Sequence, residues 1–452
     1  MRVAIVGGGI AGLAAGYAAA KAGHEVTVHE RGEIVGGALR STRLAGLDLE
    51  EGADAFLVRV PEALDLASEV GCTVVHPKTG QAQVYAAGRL RPLPPGTVLG
   101  VPGQLRGLRP ALSRHGVARA ALDRLLPHLD LGDDPSVGTL VRRRLGAELL
   151  DRLVDPLLGG VYAGASTGLS VRATAPLLAA PGRSLLATVA ARRPAPSTGP
   201  VFGSVLGGQG EFAAAIARAL IAAGGQVRTG STVTSLDRRG GSWQLGFGPA
   251  GGRPPPPGPG GAGTRRMQDT DAVILAVPAP RAARLLSGHV PATVLPDTQY
   301  ASVAIVTLLY PPGTRLPGGS GFLVAPSARR AVKAVSFVGQ KWGHPADGPV
   351  VVRASIGRYR AVADLHRPDL ELIGLAAAEI ADMAGVPGRP RDYRVRRWGG
   401  ALPQYAPGHL TRAAALRAAL GPGLAVCGAA YDGVGIPACV RSGQAAAAAV
   451  GG

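Results

Sequence analysis

The opening forty residues constrain this chain more than any other stretch. Arg2 to Val6 reads RVAIV, a short, almost wholly apolar run of the kind buried on both faces of a parallel sheet. It passes directly into Gly7, Gly9 and Gly12, spaced Gly-x-Gly-x-x-Gly, and then into an alanine-rich helical segment from Leu13 to about Ala22 that Gly23 closes. A second strand, Glu25 to Val28, delivers His29 and Glu30. Strand, glycine turn, helix, strand and acid within about thirty residues make a complete dinucleotide-binding unit.

Each position has a physical task. Gly7 permits the turn off the strand, Gly9 lets the backbone approach a pyrophosphate, and Gly12 lets the helix pack closely on the sheet. With Gly8, Ile10 and Ala11 they turn the helix N-terminal amides and dipole towards the anion. Glu30 lies 18 residues beyond Gly12, placed to accept hydrogen bonds from ribose hydroxyls. A second glycine pair follows, Gly36-Gly37 with Ala38 after it. Flavoenzymes similar to glutathione reductase and the amine oxidases use such a pair to run along the FAD pyrophosphate and ribityl chain. NADPH is the weaker reading: Arg31 could face a 2′-phosphate, but Glu30 would repel it. The expected cofactor is FAD.

A chain of 452 residues exceeds one hydrophobic core and should hold two or three domains. Its formal charge of +18 is nearly all arginine, with lysine only at Lys21, Lys78, Lys333 and Lys341. Such a balance suits nucleic acid, an anionic membrane surface or an acidic small molecule. No zinc finger, helix-turn-helix or RNA-binding aromatic platform is present, so no nucleic-acid partner is expected and an acidic substrate stays open. Cys72, Cys427 and Cys439 form no Cys-x-x-Cys pair, which argues against a disulfide scaffold, a metal site and a dithiol reductase, and fits a reducing cytoplasm. The longest apolar stretch, Ala301 to Tyr310, falls short of the roughly twenty residues that span a bilayer. A cytoplasmic protein is expected, with peripheral attachment at the inner face of the membrane as the alternative.

Further along, Gly52-Ala53-Asp54-Ala55 forms a turn where backbone could approach a ligand, and Arg59 precedes a helix opened by Pro61. Asp54 is read as a capping carboxylate, Arg59 as the partner of a substrate carboxylate. Val84 to Pro94 reads as a hairpin, and about 103 to 158 as amphipathic helix covering a pocket or, alternatively, lying on a membrane surface. A helix ends near Ala223, strands follow to Phe247 with Val233 placed to line an adenine, and Gly248 to Thr264 is an extended Gly/Pro-rich loop. Asp271 to Pro278 and Leu424 to Cys427 are further buried strands, and the last helix carries Ser442 to Val450. A strand, glycine turn and helix returning at the C-terminus make the first domain discontinuous.

The whole chain resembles the FAD-dependent porphyrinogen oxidases within the amine oxidase superfamily. The resemblance is carried by GGGIAGLAA at Gly7, EEGADAF at Glu50, PLLGGVYAG at Pro156, ALPQY with Gly408-His409, and YDGVGIPAC at Tyr431. It is strongest to the bacterial branch that oxidises coproporphyrinogen III. The implied fold is α/β plus α+β. It comprises a discontinuous Rossmann-like FAD-binding domain (1–72, 207–280 and 398–452), a mixed-sheet substrate domain (73–92, 175–206 and 281–397) and an inserted helical subdomain (93–174).

By the same resemblance the FAD pyrophosphate lies on Gly7 to Gly12, the ribose on Glu30 and Arg31, and the adenine beside Val233. Gly52, Ala53, Asp54 and Ala55 lie near the flavin ring, Trp398 at its far edge, and Val434, Gly435 and Ile436 at its pyrimidine side. Where the family has a histidine before its proline-rich loop, this chain has Arg91. No nucleophilic triad, metal cluster or paired carboxylates can be assigned, and none is needed if the flavin carries the chemistry. The expectation is a six-electron oxidation of a porphyrinogen in three steps, hydride passing to the flavin N5 and dioxygen leaving as hydrogen peroxide. Four propionates on coproporphyrinogen III suit an arginine-rimmed pocket, with Arg59 the first choice. Protoporphyrinogen IX, or an amine, is the alternative substrate.

Overall fold

The computed structural model describes residues 1–180, 182–192, 199–248, 266–345, 347–386 and 388–451. The Gly/Pro-rich loop expected at Gly248 to Thr264 lies outside them from 249 onward. The chain divides into two compact units, one of 1–75, 202–298 and 410–452, the other of 76–201 and 299–409.

The first unit is built on a five-stranded sheet in the order Gln226–Arg228, Glu25–His29, Arg2–Val6, Ala272–Leu275, Leu424–Val426. Every neighbouring pair is parallel. The apolar runs read from the sequence are therefore buried from both sides, with Ile5, Val28 and Ile274 wholly inaccessible. Helix Ile10–Lys21 is alanine-rich for a packing reason: nine of its residues are buried, between the sheet and helix Ile436–Gly451. Where the two helices cross, a side chain on Gly443 would lie 2.2 Å from the Ala11 carbonyl oxygen. Backbone meets backbone there, and so the first and last helices pack together against the sheet. The last helix begins at Ile436, six residues before Ser442.

Helix Gly208–Ala222 has a glycine-rich start that the chain's own side chains cap. Glu50 Oε1 accepts from the Gln209 N–H at 2.7 Å and Ser41 Oγ from the Gly210 N–H at 3.1 Å, so the chain's own side chains close that helix end. A Cβ on Gly208 would lie 2.4 Å from the Glu50 carboxylate.

The second unit carries a seven-stranded sheet: Asp392–Pro403, Tyr300–Tyr310, Val350–Ile356, Val332–Phe337, Gly321–Val324, Ala82–Ala86, Arg89–Pro92. All neighbours are antiparallel except Gly321–Val324 with Ala82–Ala86. Helix Asp369–Ala384 packs Leu372, Ile373, Ala376 and Ile380 against one face, on Val306, Leu308, Val352 and Ala354. The helical segment Arg114–Tyr162 belongs to this same unit, its helices held by a buried Arg144–Asp123 ion pair. Arg91 donates to the Ala86 carbonyl at 3.2 Å and the Pro110 carbonyl at 2.6 Å, fastening the hairpin to that segment. Among the described residues no helix is long and apolar enough to cross a membrane.

Four expected boundaries move. Strand Asp392–Pro403 runs through the expected division at 397/398, and its eleven-residue partner Tyr300–Tyr310 keeps it, with Trp398, in the second unit. Strands Val74–Val75 and Phe202–Val205, both expected in the substrate domain, pair with each other, and Phe202–Val205 also pairs with Phe56–Leu57, which moves the boundaries at 72/73 and 206/207 and puts both strands in the first unit. Helix Ala279–Leu286 crosses the expected boundary at 280/281 and leaves 281–298 in the first unit. In each case main-chain hydrogen bonding decides membership.

Lys333 is 4% exposed at the irregular register between Val332 and Ala334. Burial, with Arg358 nearby, pushes its ammonium down to about 7 from 10.5. Between these values the unfolded chain holds a proton that the folded chain does not, so the contribution of this group to stability rises with pH through that window. Below it both states are protonated and the whole penalty stands. Lys333→Met should remove a slope of at most about 1.4 kcal/mol per pH unit. Urea unfolding of both proteins at pH 7 and pH 9 checks this, and identical pH dependence would refute it.

Candidate cofactor and active site

The site lies at the carboxyl ends of the parallel strands, where doubly wound sheets bind their ligands. Gly7 takes φ +110°, its N–H donating to the His29 carbonyl at 2.8 Å. The third glycine answers to the turn itself: a Cβ on Gly12 would stand 1.9 Å from the Gly7 carbonyl oxygen. Gly9 differs. A Cβ there would meet nothing within 4 Å, and its φ of −71° suits any residue. Nothing in the fold requires Gly9, whereas a ligand lying on the turn would. Helix Ile10–Lys21 starts there with no side-chain cap and no acid in its first turn, leaving the N–H groups of Ile10, Ala11 and Gly12 and the positive dipole end directed at the same place.

Glu30 is half-buried and fixed by the turn it serves. Its Oε2 accepts from the Gly8 N–H at 2.8 Å and its Oε1 from the Gly32 N–H at 2.7 Å. Each oxygen keeps a second lone pair for a ribose hydroxyl. The second glycine pair lies directly on the first. The Gly36 N–H donates to the Gly8 carbonyl at 2.7 Å, and a Cβ on Gly37 would stand 3.3 Å from the Gly9 α-carbon. Gly37 and Ala38 are exposed beside it.

Val233 is buried at the start of strand Val233–Arg239, and its carbonyl accepts from Arg281 Nη2 at 2.5 Å. Burial, then Arg284 and Arg31, lower the Arg281 guanidinium. Three arginines thus gather where the adenosine end was expected, and Arg31, itself exposed, is one of them. Sequence reading missed Arg281 and Arg284; a PRAAR run after a buried strand is their only local mark.

At the other end of the chain, the Gly428 N–H donates to Ser442 Oγ at 2.8 Å. Ser442 Oγ donates to Asp432, which also accepts from Arg417 Nη2 at 2.6 Å. This network ties the loop bearing Val434 and Gly435 to the helix that Ile436 opens, and it too escaped the sequence reading. Gly52 to Ala55 form a half-buried turn between strands Leu47–Glu50 and Phe56–Leu57, and Arg59 is exposed just before helix Pro61–Glu69. Trp398 does not belong to this unit. The thiols of Cys427 and Cys439 are buried and raised by that burial, Cys439 to about 12, so neither is a ready thiolate.

An open glycine turn, an uncapped helix end and a fixed acid define a dinucleotide-binding α/β protein, and the second glycine pair fits the longer reach of a flavin dinucleotide. The family model for flavin containing amine oxidoreductases matches residues 10–451, and the chain belongs to that family. It is an FAD-dependent oxidoreductase. It is 37% identical over 453 residues to the coproporphyrinogen III oxidase of Mycobacterium tuberculosis, covering 96% of this chain and 94% of the relative. The Bacillus subtilis protein of the same name is 31% identical, with 98% and 96% covered. Among solved structures, an Exiguobacterium protein described provisionally as a protoporphyrinogen oxidase superposes with a TM-score of 0.86 at 30% identity, covering 99% of this chain and 98% of its own.

Proposed function

We propose that this protein oxidises coproporphyrinogen III to coproporphyrin III by six electrons in haem biosynthesis, with dioxygen as acceptor and hydrogen peroxide as co-product. The observation that carries the reading is the end-to-end match to the mycobacterial coproporphyrinogen III oxidase, at 37% identity over 453 residues. The flavin, when bound, supplies a two-electron acceptor.

The chain's own residues bind and orient. Gly7 to Gly12 and the helix behind them hold the pyrophosphate, Glu30 the ribose, Gly36 to Ala38 the chain between, and Val233 with Arg281 the adenine end. Gly52 to Ala55 and Val434 to Ile436 take the ring side, and Trp398 is assigned to the ring's far edge on the resemblance alone. Arg59 is assigned to a substrate carboxylate. Protoporphyrinogen IX is the second reading, favoured by the description of the Exiguobacterium structure. Peripheral contact with an anionic membrane is included because Leu122 and Leu125 are exposed beside Arg124, Leu125 at 81%.

One experiment tests the reading. The flavin-loaded protein is given coproporphyrinogen III or protoporphyrinogen IX in air, with and without anionic phospholipid vesicles, while porphyrin fluorescence and peroxide are followed. Faster turnover of coproporphyrinogen III with peroxide release, and co-sedimentation with vesicles, are expected. Strong preference for protoporphyrinogen IX would transfer the assignment to the second reading, and no turnover of either would end both.

A further inference from the structure

One face of the second unit's sheet is covered by helix Asp369–Ala384, and the residues that alternate with that core occupy the other face. Register fixes them. Thr307 pairs with Arg353 on one side and Arg394 on the other, and Arg353 pairs in turn with Ser336. Directly paired residues point to the same side of a sheet, so Arg394, Thr307, Arg353 and Ser336 form one polar rung. The next rung is Arg396, Ile305 and Ser355, and the next Trp398 and Val303. The Arg396 guanidinium stacks over the Trp398 ring, 4.8 Å from its centroid. Asp392, opposite Leu309, ends the basic stretch on the other side.

The residues of this face differ in exposure as well as in charge. Thr307 is 4% exposed, while Arg353 and Arg396 are half-buried and Arg394 is exposed. Exposure thus increases from Thr307 on the inner strand to Arg394 on the edge strand, where a small anionic ligand can reach the guanidiniums. Arg353 and Arg394 stand two strands apart, about 10 Å between their α-carbons. That is the scale on which carboxylates are spread around a tetrapyrrole's rim. The neighbouring Ile305 and Trp398, both half-buried, add apolar surface for the macrocycle itself, Trp398 resting on the buried Val303 and Ala163. Strand-borne groups also hold their geometry better than one on a turn such as Arg59.

We propose that Arg353 and Arg394, assisted by Arg396 held on Trp398, bind the propionate carboxylates of the tetrapyrrole and so favour the substrate with more of them. The inference rests on the porphyrinogen reading above. Guanidinium forks pair bidentately with carboxylates, which gives orientation as well as attraction.

The test uses flavin-loaded Arg353→Gln, Arg394→Gln and the double variant, with Arg353→Lys and Arg394→Lys keeping the charge but losing the fork. Steady-state oxidation of both porphyrinogens is measured, and coproporphyrin III binding is followed by fluorescence without turnover. Each glutamine change should raise KM for coproporphyrinogen III and the Kd for coproporphyrin III by roughly tenfold, since a lost charge-assisted pair is worth about that factor. kcat and flavin content should stay near wild type, protoporphyrinogen IX should suffer less, and the lysine variants should fall between. Variants with native flavin content and unchanged KM and Kd would overturn the inference while leaving the porphyrinogen reading intact. Conversely, wild type that binds coproporphyrin III but oxidises neither porphyrinogen would sink the reading. The arginines would then stand or fall on the binding measurement alone.

Discussion

Gly9→Ala is expected to fold as well as wild type yet emerge from purification without flavin, whereas Gly12→Ala should lose both flavin and stability. The two glycines share a motif and differ in what surrounds them. A methyl on Gly9 meets nothing of the protein within 4 Å and asks no unusual backbone angle, so apoprotein stability should change by less than about 0.5 kcal/mol. The same methyl stands where an anion would approach the helix N–H groups. Losing two charge-assisted hydrogen bonds at about 1.5–3 kcal/mol each corresponds to a hundredfold or greater loss of affinity. On Gly12 the methyl would be 1.9 Å from the Gly7 carbonyl oxygen, a backbone atom that cannot step aside without moving the turn. Overpacking of that kind costs about 1–3 kcal/mol even before the ligand is counted. Flavin absorbance per protein and urea unfolding of the two apoproteins separate the cases. A Gly9→Ala protein that keeps stoichiometric flavin at wild-type affinity would remove the pyrophosphate from this turn.

That contrast shows how the sequence can be read and where reading stops. Strands buried on both faces announce themselves as unbroken apolar runs, so RVAIV, AVIL and LAV were legible, and their return late in the chain signalled a discontinuous domain. Strand Asp392–Pro403 was not legible. It is the edge strand of its sheet, with Arg397 reaching the Leu365 carbonyl on one side and Arg394 and Arg396 on the other, so charge occupies both faces and hides the alternation. Trp398 was assigned to the first domain for want of that strand. Gly321–Val324 is four residues long after a glycine-rich approach, too short to carry a period. The remaining misses are pairings across sequence: Glu50 closing a helix 159 residues away, and Arg281 reaching Val233 across 48. No local pattern encodes a partner at that separation.

The same blindness hid a buried ion pair in the second unit. Arg144 and Asp123 are 2% and 0% exposed, joined by Arg144 Nε donating to Asp123 Oδ1 at 2.5 Å. Arg144 also donates to the carbonyls of Asp123, Pro127 and Arg183. Asp123 Oδ2 accepts from Ser184 Oγ at 2.6 Å and from the Leu186 N–H at 2.9 Å, closing the start of helix Leu185–Arg192. Asp123→Ala strands a buried guanidinium and uncaps that helix, and should cost about 3–5 kcal/mol. Replacing both partners, Asp123→Leu with Arg144→Met, should recover much of this, because a buried pair gives up in desolvation most of what it gains in attraction. Urea unfolding of Asp123→Leu, Arg144→Met and the double yields the coupling directly. An Asp123→Ala protein within about 1 kcal/mol of wild type would mean that water reaches the guanidinium. Flavin retention gives an independent reading: the glycine turns and Glu30 lie in the other compact unit, so a folded double variant should keep its flavin, and its loss would mean that this pair supports the cofactor site as well as its own helices.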